Sequence, residues 1–163
     1  MSNQVLSEQT SLELAAWVRL LRGYAGLTGD LSARLQEEQG LTINDYEVLL
    51  LLSHAEGDRM RRVDLAREVK LSPSGITRLL GGLERQGYVE RAASEDDARV
   101  TFAVLTERGR TKLEEASGPH IEAIRSAMAQ RFSEAELETL NQLLSRLPGA
   151  GGETDPRCCE AGA

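Results

Sequence analysis

Aromatic residues are nearly missing from this chain: one Trp, three Tyr and two Phe in 163 residues. Its core must therefore be built mostly from Leu, Val, Ile and Ala. Cysteine is equally scarce. The two present, Cys158 and Cys159, are adjacent, so no metal-ligand spacing such as C-x-x-C exists and no metal or cofactor is implied. No apolar run approaches the roughly 18 residues of a membrane span, which excludes a helical membrane protein. The first ten residues, MSNQVLSEQT, lack the basic and apolar regions of a secretion signal, so the expected compartment is the cytoplasm. The chain contains no P-loop, G-x-S-x-G, H-E-x-x-H or dinucleotide fingerprint and only two His, which argues against an enzyme. A net positive charge is also lacking: the balance is −7.

That balance is uneven. From Arg59 to Arg91 stand eight basic residues against four acidic ones, a net of +4, so the remainder carries −11. A basic lobe on an acidic body suits a selective nucleic-acid binder better than one that coats any polyanion.

The basic window overlaps the most informative stretch, Ser72 to Gly109. Ser72 is a good N-cap, and Pro73 fits the first helical position, where its missing N–H costs nothing. Ile76, Leu79, Leu80 and Leu83 recur at helical spacing, while Ser74, Thr77, Arg78 and Arg85 occupy the other face. Gly87 stops the helix. Val89–Arg91 and Arg99–Leu105 favour strand around a polar turn at 93–98. Thr106 caps the following helix without a capping box, since Gly109 stands where Glu would. Upstream, Val63, Leu65, Ala66 and Val69 give a short helix an apolar face. The unit 63–69, short turn, 73–86 is a helix-turn-helix by length, and the hairpin behind it makes a wing. A recognition helix and a β-ribbon together can address the major groove and the adjacent minor groove of DNA.

The flanks are helical. Residues 11–39 carry Leu12, Ala15, Ala16, Val18, Leu20, Leu21, Leu27, Leu31 and Leu35 as an apolar stripe. Gly23, Gly26 and Gly29 interrupt it, which points to a bend or to another helix passing close by. Thr42 caps a second helix, with Asp45 at the third position and a nearly all-round apolar run from Tyr46 to Leu52. Residues 107–131 form a long helix with an interruption expected at Gly118-Pro119. Ser133 and Glu136 form a capping box for a last helix with Leu137, Leu140, Leu143, Leu144 and Leu147 on one face. The tail from Pro148 onward, rich in Gly and polar residues, is expected to be disordered.

The chain resembles the MarR family of bacterial transcription regulators. Its wing signature, D-x-R-x-x-x-V-x-L-T-x-x-G, stands here as Asp97, Arg99, Ala103, Leu105, Thr106 and Gly109, with alanine in the valine place. The segment LSPSGITRLLGGLERQGYVER resembles the family's recognition-helix region, and the likeness extends over roughly residues 12–147. It implies a mostly α fold, a winged helix-turn-helix between long dimerisation helices. The expected parts are a flexible 1–10, dimerisation helices in 11–40 and 107–147, a DNA-binding lobe at 42–105 and a tail at 148–163. It implies a homodimer on a pseudo-palindromic double-stranded operator, a repressor more often than an activator. Arg78 and Thr77 are expected at base edges, with Ser72, Ser74, Arg61, Arg62, Lys70 and Arg85 toward phosphates and Arg99 in the wing. It also implies a small, possibly aromatic or phenolic, effector, for which Trp17, Arg19, Arg22, Tyr24, Tyr46, His54 and His120 are candidates. Trp17 and Tyr46 read more readily as core residues, and His54, at a helix end, and His120, after a proline, as surface or interface residues. The first helix holds no Cys, unlike the peroxide-sensing branch. The family's wing arginine is replaced by Ala98 beside Glu95, Asp96 and Asp97, and its basic residue after the first wing strand by Ala92. These departures predict a weakly anchoring wing and leave a protein-binding module without DNA affinity as the alternative function.

Overall fold

A computed structural model of the chain describes residues 11–93 and 100–148. The elements follow from local signals. Helix α1 (Leu12–Gln39) starts at Ser11, whose hydroxyl accepts the Leu14 N–H, and ends at Gly40 with φ 68°. Helix α2 (Ile43–His54) opens on a capping box: Asp45 accepts the Thr42 N–H at 2.9 Å, and Thr42 Oγ1 accepts the Asp45 N–H at 3.1 Å. A 3-10 turn at Glu56–Asp58 leads into strand β1 (Arg59–Arg61) and helix α3 (Arg62–Glu68). Helix α4 (Pro73–Gln86), strand β2 (Val89–Ala93) and strand β3 (Thr101–Leu105) form the expected helix and hairpin. Helix α5 (Glu107–Ala129) and helix α6 (Glu134–Leu144) complete the chain. The α6 capping box is present, with Glu136 accepting the Ser133 N–H at 2.8 Å.

The sheet is antiparallel in the order β1-β3-β2, with Arg61 opposite Phe102 and Val89 opposite Leu105. The sequence does not reveal β1. Arg-Met-Arg has neither apolar alternation nor β-branched residues, and only its partner β3 makes it a strand. The core lies where α2 meets α3, α4, α5 and the sheet: Val48, Leu49, Leu52, Leu65, Leu80 and Leu83 are almost fully enclosed. Two flanking expectations need correction. Helix α5 is unbroken across Pro119. Gly118, Pro119 and Glu115 are all exposed, so water can take the carbonyl that the proline leaves unbonded. Gly23, Gly26 and Gly29 meet nothing within 4 Å of where a Cβ would stand, so among the described residues no other helix packs against them. Among the described residues no helix is long and apolar enough to cross a membrane.

The junction below the wing is tightly made. Thr106 N–H donates to Tyr88 O at 3.1 Å, its hydroxyl donates to Gly87 O at 2.7 Å, and the same oxygen accepts the Gly109 N–H at 3.0 Å. A Cβ on Gly109 would lie 2.0 Å from Tyr88 O and 2.8 Å from Leu105 Cδ1. The Leu-Thr-x-x-Gly run thus ties the end of α4, the foot of the hairpin and the first turn of α5 to one point. Gly109→Ala must push backbone apart, and a loss of about 3 kcal/mol is expected in urea unfolding; an unchanged midpoint would contradict the close contact.

His120 is buried, not a surface residue. Its ring centroid lies 4.8 Å from that of Tyr46, whose hydroxyl donates to Ser117 Oγ at 3.2 Å. Burial holds the imidazole below its ordinary pKa by disfavouring the charged form. The unfolded chain therefore binds the proton more readily. This contribution to stability is full above about pH 6.5 and is lost as pH falls below that value. A His120→Gln variant should lose less stability than the parent between about pH 7.5 and about pH 5; parallel losses would assign the pH dependence to other groups.

Candidate nucleic-acid interface

Helix α4 presents its N-terminal end to solvent because its apolar side is used inward. Ile76, Leu80 and Leu83 are buried, whereas Ser72, Pro73, Ser74, Thr77, Arg78 and Arg85 are exposed. Ser72 Oγ accepts the Gly75 N–H at 3.1 Å and lies 3.2 Å from Ser74 Oγ. One helical N–H is thus satisfied by the cap, and the rest of the first turn stays open to an acceptor.

Helix α3 crosses beside it through a four-residue turn, Val69 to Ser72. Leu71 N–H donates back to Ala66 O at 2.9 Å, which closes α3 and turns the chain. Lys70 holds the left-handed conformation this turn needs, with φ 55°, where Gly or Asn is the commoner choice. Its exposed side chain stands at the corner between the two helices. Between α3, α4 and the start of β3 lies a groove of about 980 Å³. Val63, Ala66 and Ile76 contribute apolar surface, and Arg61, Arg62, Arg67 and Lys70 contribute charge.

Carboxylates decide which cations of this lobe are available. Asp64 takes Arg61 at 2.6 Å and Arg67 at 3.8 Å. Glu84 takes Arg91 through its Nε and Nη2 donors at 3.0–3.2 Å. Asp58 takes Arg110 at 2.5 Å and raises its pKa through that hydrogen bond. Arg59 lies over Phe102 and Arg108 over Tyr88. Among the described residues, Arg62, Lys70, Arg78 and Arg85 form no salt bridge, although Lys70 stands close enough to Glu47 to act on its carboxyl through space. Arg62 instead donates to Thr77 Oγ1 at 2.5 Å. Arg85 lies back along α4 with its guanidinium beside Gly81 and Gly82.

The sequence-derived set Arg61, Arg62, Lys70, Ser72, Ser74, Thr77 and Arg78 is therefore brought together around one helix end, with Arg85 further along the same helix. Arg99 and the acidic tip residues Glu95, Asp96 and Asp97 lie outside the described residues, as do Cys158 and Cys159. Sequence reasoning overlooked Asp64 as the residue that occupies Arg61 and Arg67. The spacing R-x-x-D-x-x-R, three residues either way on a helix, was the available signal. The candidate effector residues Trp17, Arg22, Tyr24, Tyr46 and His54 are not brought together. Tyr46 is enclosed against His120, His54 is exposed at the far end of α2, and Trp17, Arg22 and Tyr24 are exposed on α1. The crevice beside His120, between α1 and α5, holds about 10 Å³, room for about one water.

Known proteins share this arrangement. The family model described as MarR family matches residues 39–100, which takes in α2, the helix-turn-helix and the first wing strand β2, and stops just short of β3. The chain is 31% identical to the HTH-type transcriptional repressor YetL of Bacillus subtilis over 109 residues, which is 67% of this chain and 65% of that protein. Among solved structures it is similar to AbsC, a MarR family transcriptional regulator from Streptomyces coelicolor. Identity there is 34%, coverage 83% of this chain and 91% of AbsC, and the TM-score 0.74. Sco3205, a MarR family transcriptional regulator from the same organism solved in complex with DNA, is 26% identical. The match covers 86% of this chain and 88% of Sco3205, with a TM-score of 0.76. The winged helix-turn-helix, its exposed basic helix end and these relatives agree: the chain belongs to the MarR family of transcriptional regulators.

Proposed function

We propose that the protein is a homodimeric repressor that lays α4 of each subunit in the major groove of a pseudo-palindromic DNA site. The observation that carries this reading is the cluster of Arg62, Lys70 and Arg78 at the start of α4, with Arg85 behind it, none of them held in a salt bridge among the described residues, in a chain of net charge −7. Cations left unpaired on an acidic protein can release counterions from DNA, the main source of affinity for a duplex. Repression follows YetL, whose name records that role. A regulator of this kind works beside the bacterial chromosome, in the cytoplasm.

The second subunit is supported by α1. Leu35 is buried and Leu31 half-buried, and the same helical face continues through Thr28, Tyr24, Leu21, Trp17 and Leu14 at alternating spacings of three and four. Trp17 is 56% exposed and Tyr24 68%. Helix α6 buries no residue and leaves Leu143 and Leu147 open. A two-fold partner would cover both ends of the chain with one surface. The proposal includes a small-molecule effector near that junction; its support is the family resemblance together with the open Trp17 and Tyr24.

Light scattering at micromolar concentration should give twice the chain mass, and Leu21→Glu should shift the protein toward monomer; a monomeric parent would end the dimer reading. In DNA titrations Lys70→Gly, which keeps the left-handed turn cheap, should weaken all duplexes alike and lower the salt slope by about one per subunit, about two for the dimer. Arg78→Ala should cost about 1–3 kcal/mol on the preferred duplex and less on a scrambled one. Affinity that ignores salt in the parent would count against the interface as a whole.

A further inference from the structure

We propose that Arg62, which projects from α3, reads a base edge, and that Thr77 of α4 is its positioning residue. The inference rests on the DNA-binding reading above and reassigns two of its residues.

The chemistry starts with the Thr77 hydroxyl. It has one proton, and that proton is committed to Pro73 O at 2.7 Å. On its acceptor side stands Arg62 Nη2 at 2.5 Å. Thr77 therefore has no donor left for a base, although it lies one turn into the helix whose first residues face base edges in this class of motif. What occupies that place instead is the guanidinium that Thr77 holds. Arg62 spends one of five N–H donors on the hydroxyl and keeps four. It meets no carboxylate among the described residues, unlike its neighbour Arg61.

The side chain is fixed at both ends. Its backbone is the first residue of α3, directly after β1, which is locked to β3 by the Arg61–Phe102 pairing. Its head is fixed by Thr77, fifteen residues away on another helix. A free arginine loses much rotamer entropy on binding; one already held does not, and its planar fork suits the O6 and N7 of guanine. A phosphate contact needs no such preparation, because charge alone serves it and a mobile side chain supplies that. Half-burial of Arg62 against the exposure of Arg61 and Arg67 fits a held head rather than a free one.

The test uses the full-length protein. Preferred duplexes are selected from a random-sequence pool with the parent, and affinities are then measured on the selected duplex and on its scrambled counterpart. Arg62→Lys keeps the charge and loses the fork. It should lower the ratio of selected to scrambled affinity about tenfold while leaving scrambled binding unchanged. Thr77→Val should lower the ratio similarly, Thr77→Ser should restore it, and the Arg62→Lys/Thr77→Val double variant should be no worse than Arg62→Lys alone. Equal losses on both duplexes for Arg62→Lys would make Arg62 a phosphate contact and overturn the proposal. A Thr77→Val loss that Ser does not restore, or that adds to the arginine variant, would remove Thr77 from the positioning role. A parent that selects no sequence would overturn the DNA reading and the proposal together, whereas a selective parent with an indifferent Arg62→Lys overturns the proposal alone.

Discussion

The contact between Gly109 and the Tyr88 carbonyl is the constraint on which the rest of the lobe depends. Only a hydrogen on Cα fits there, and the Thr106 hydroxyl and N–H draw the same two carbonyls, Gly87 and Tyr88, onto the start of α5. Three elements thereby lose independent motion. The end of α4 cannot shift without moving the hairpin foot, and neither can shift without moving α5. The buried row Leu80, Leu83, Val89 and Leu105 packs behind this point, so the hydrogen bonds and the apolar core enforce the same geometry. The threonine and glycine of the wing signature are thus residues of the scaffold.

Charge works by subtraction on this surface. The acidic residues of the basic window are few, yet Asp64 and Glu84 are placed to occupy particular arginines. Exposed ion pairs of this kind add little stability. Their effect is to leave a small, defined set of cations facing outward from a protein that is acidic overall. Such a protein discriminates between a duplex matched to that set and polyanions in general better than one with every arginine free. The same principle explains why counting basic residues overstated the interface: Arg61 and Arg67 carry their charge into a carboxylate.

Much of this was legible in the residues. Ser72-Pro73 and Gly87 bound α4 without error, because caps and a left-handed glycine are local signals that tertiary packing does not override. Thr42 with Asp45, and Ser133 with Glu136, announced their helices for the same reason. Strand β1 was invisible because three residues of Arg-Met-Arg carry no periodicity, and its pairing depends on a partner forty residues on. Tyr46 read as core from its place in the apolar run of α2, whereas His120, polar and next to a proline, looked like a surface or interface group. The histidine's surroundings, Leu35, Ala116 and Ala123, come from other turns of its helix and from another helix. Thr77 could be placed on the outer face from spacing, but its hydroxyl's use by Pro73 and Arg62 is a matter of tertiary geometry. The glycines of α1 had no partner to explain them within one chain.

The unbroken course of α5 has a mechanical consequence. Twenty-three residues make a rod of about 34 Å, clamped at Gly109 to the DNA-reading lobe and ending beside α6 at the other extremity. Pivoted at its far end, a tilt of about 5° would carry the lobe some 3 Å, close to the roughly 3.4 Å between neighbouring base pairs. A lever of that length converts a disturbance too small to unpack a core into a displacement of the lobe by about one base-pair step. Pro119, placed near the middle of the rod, weakens its backbone ladder by one rung and marks where it is softest.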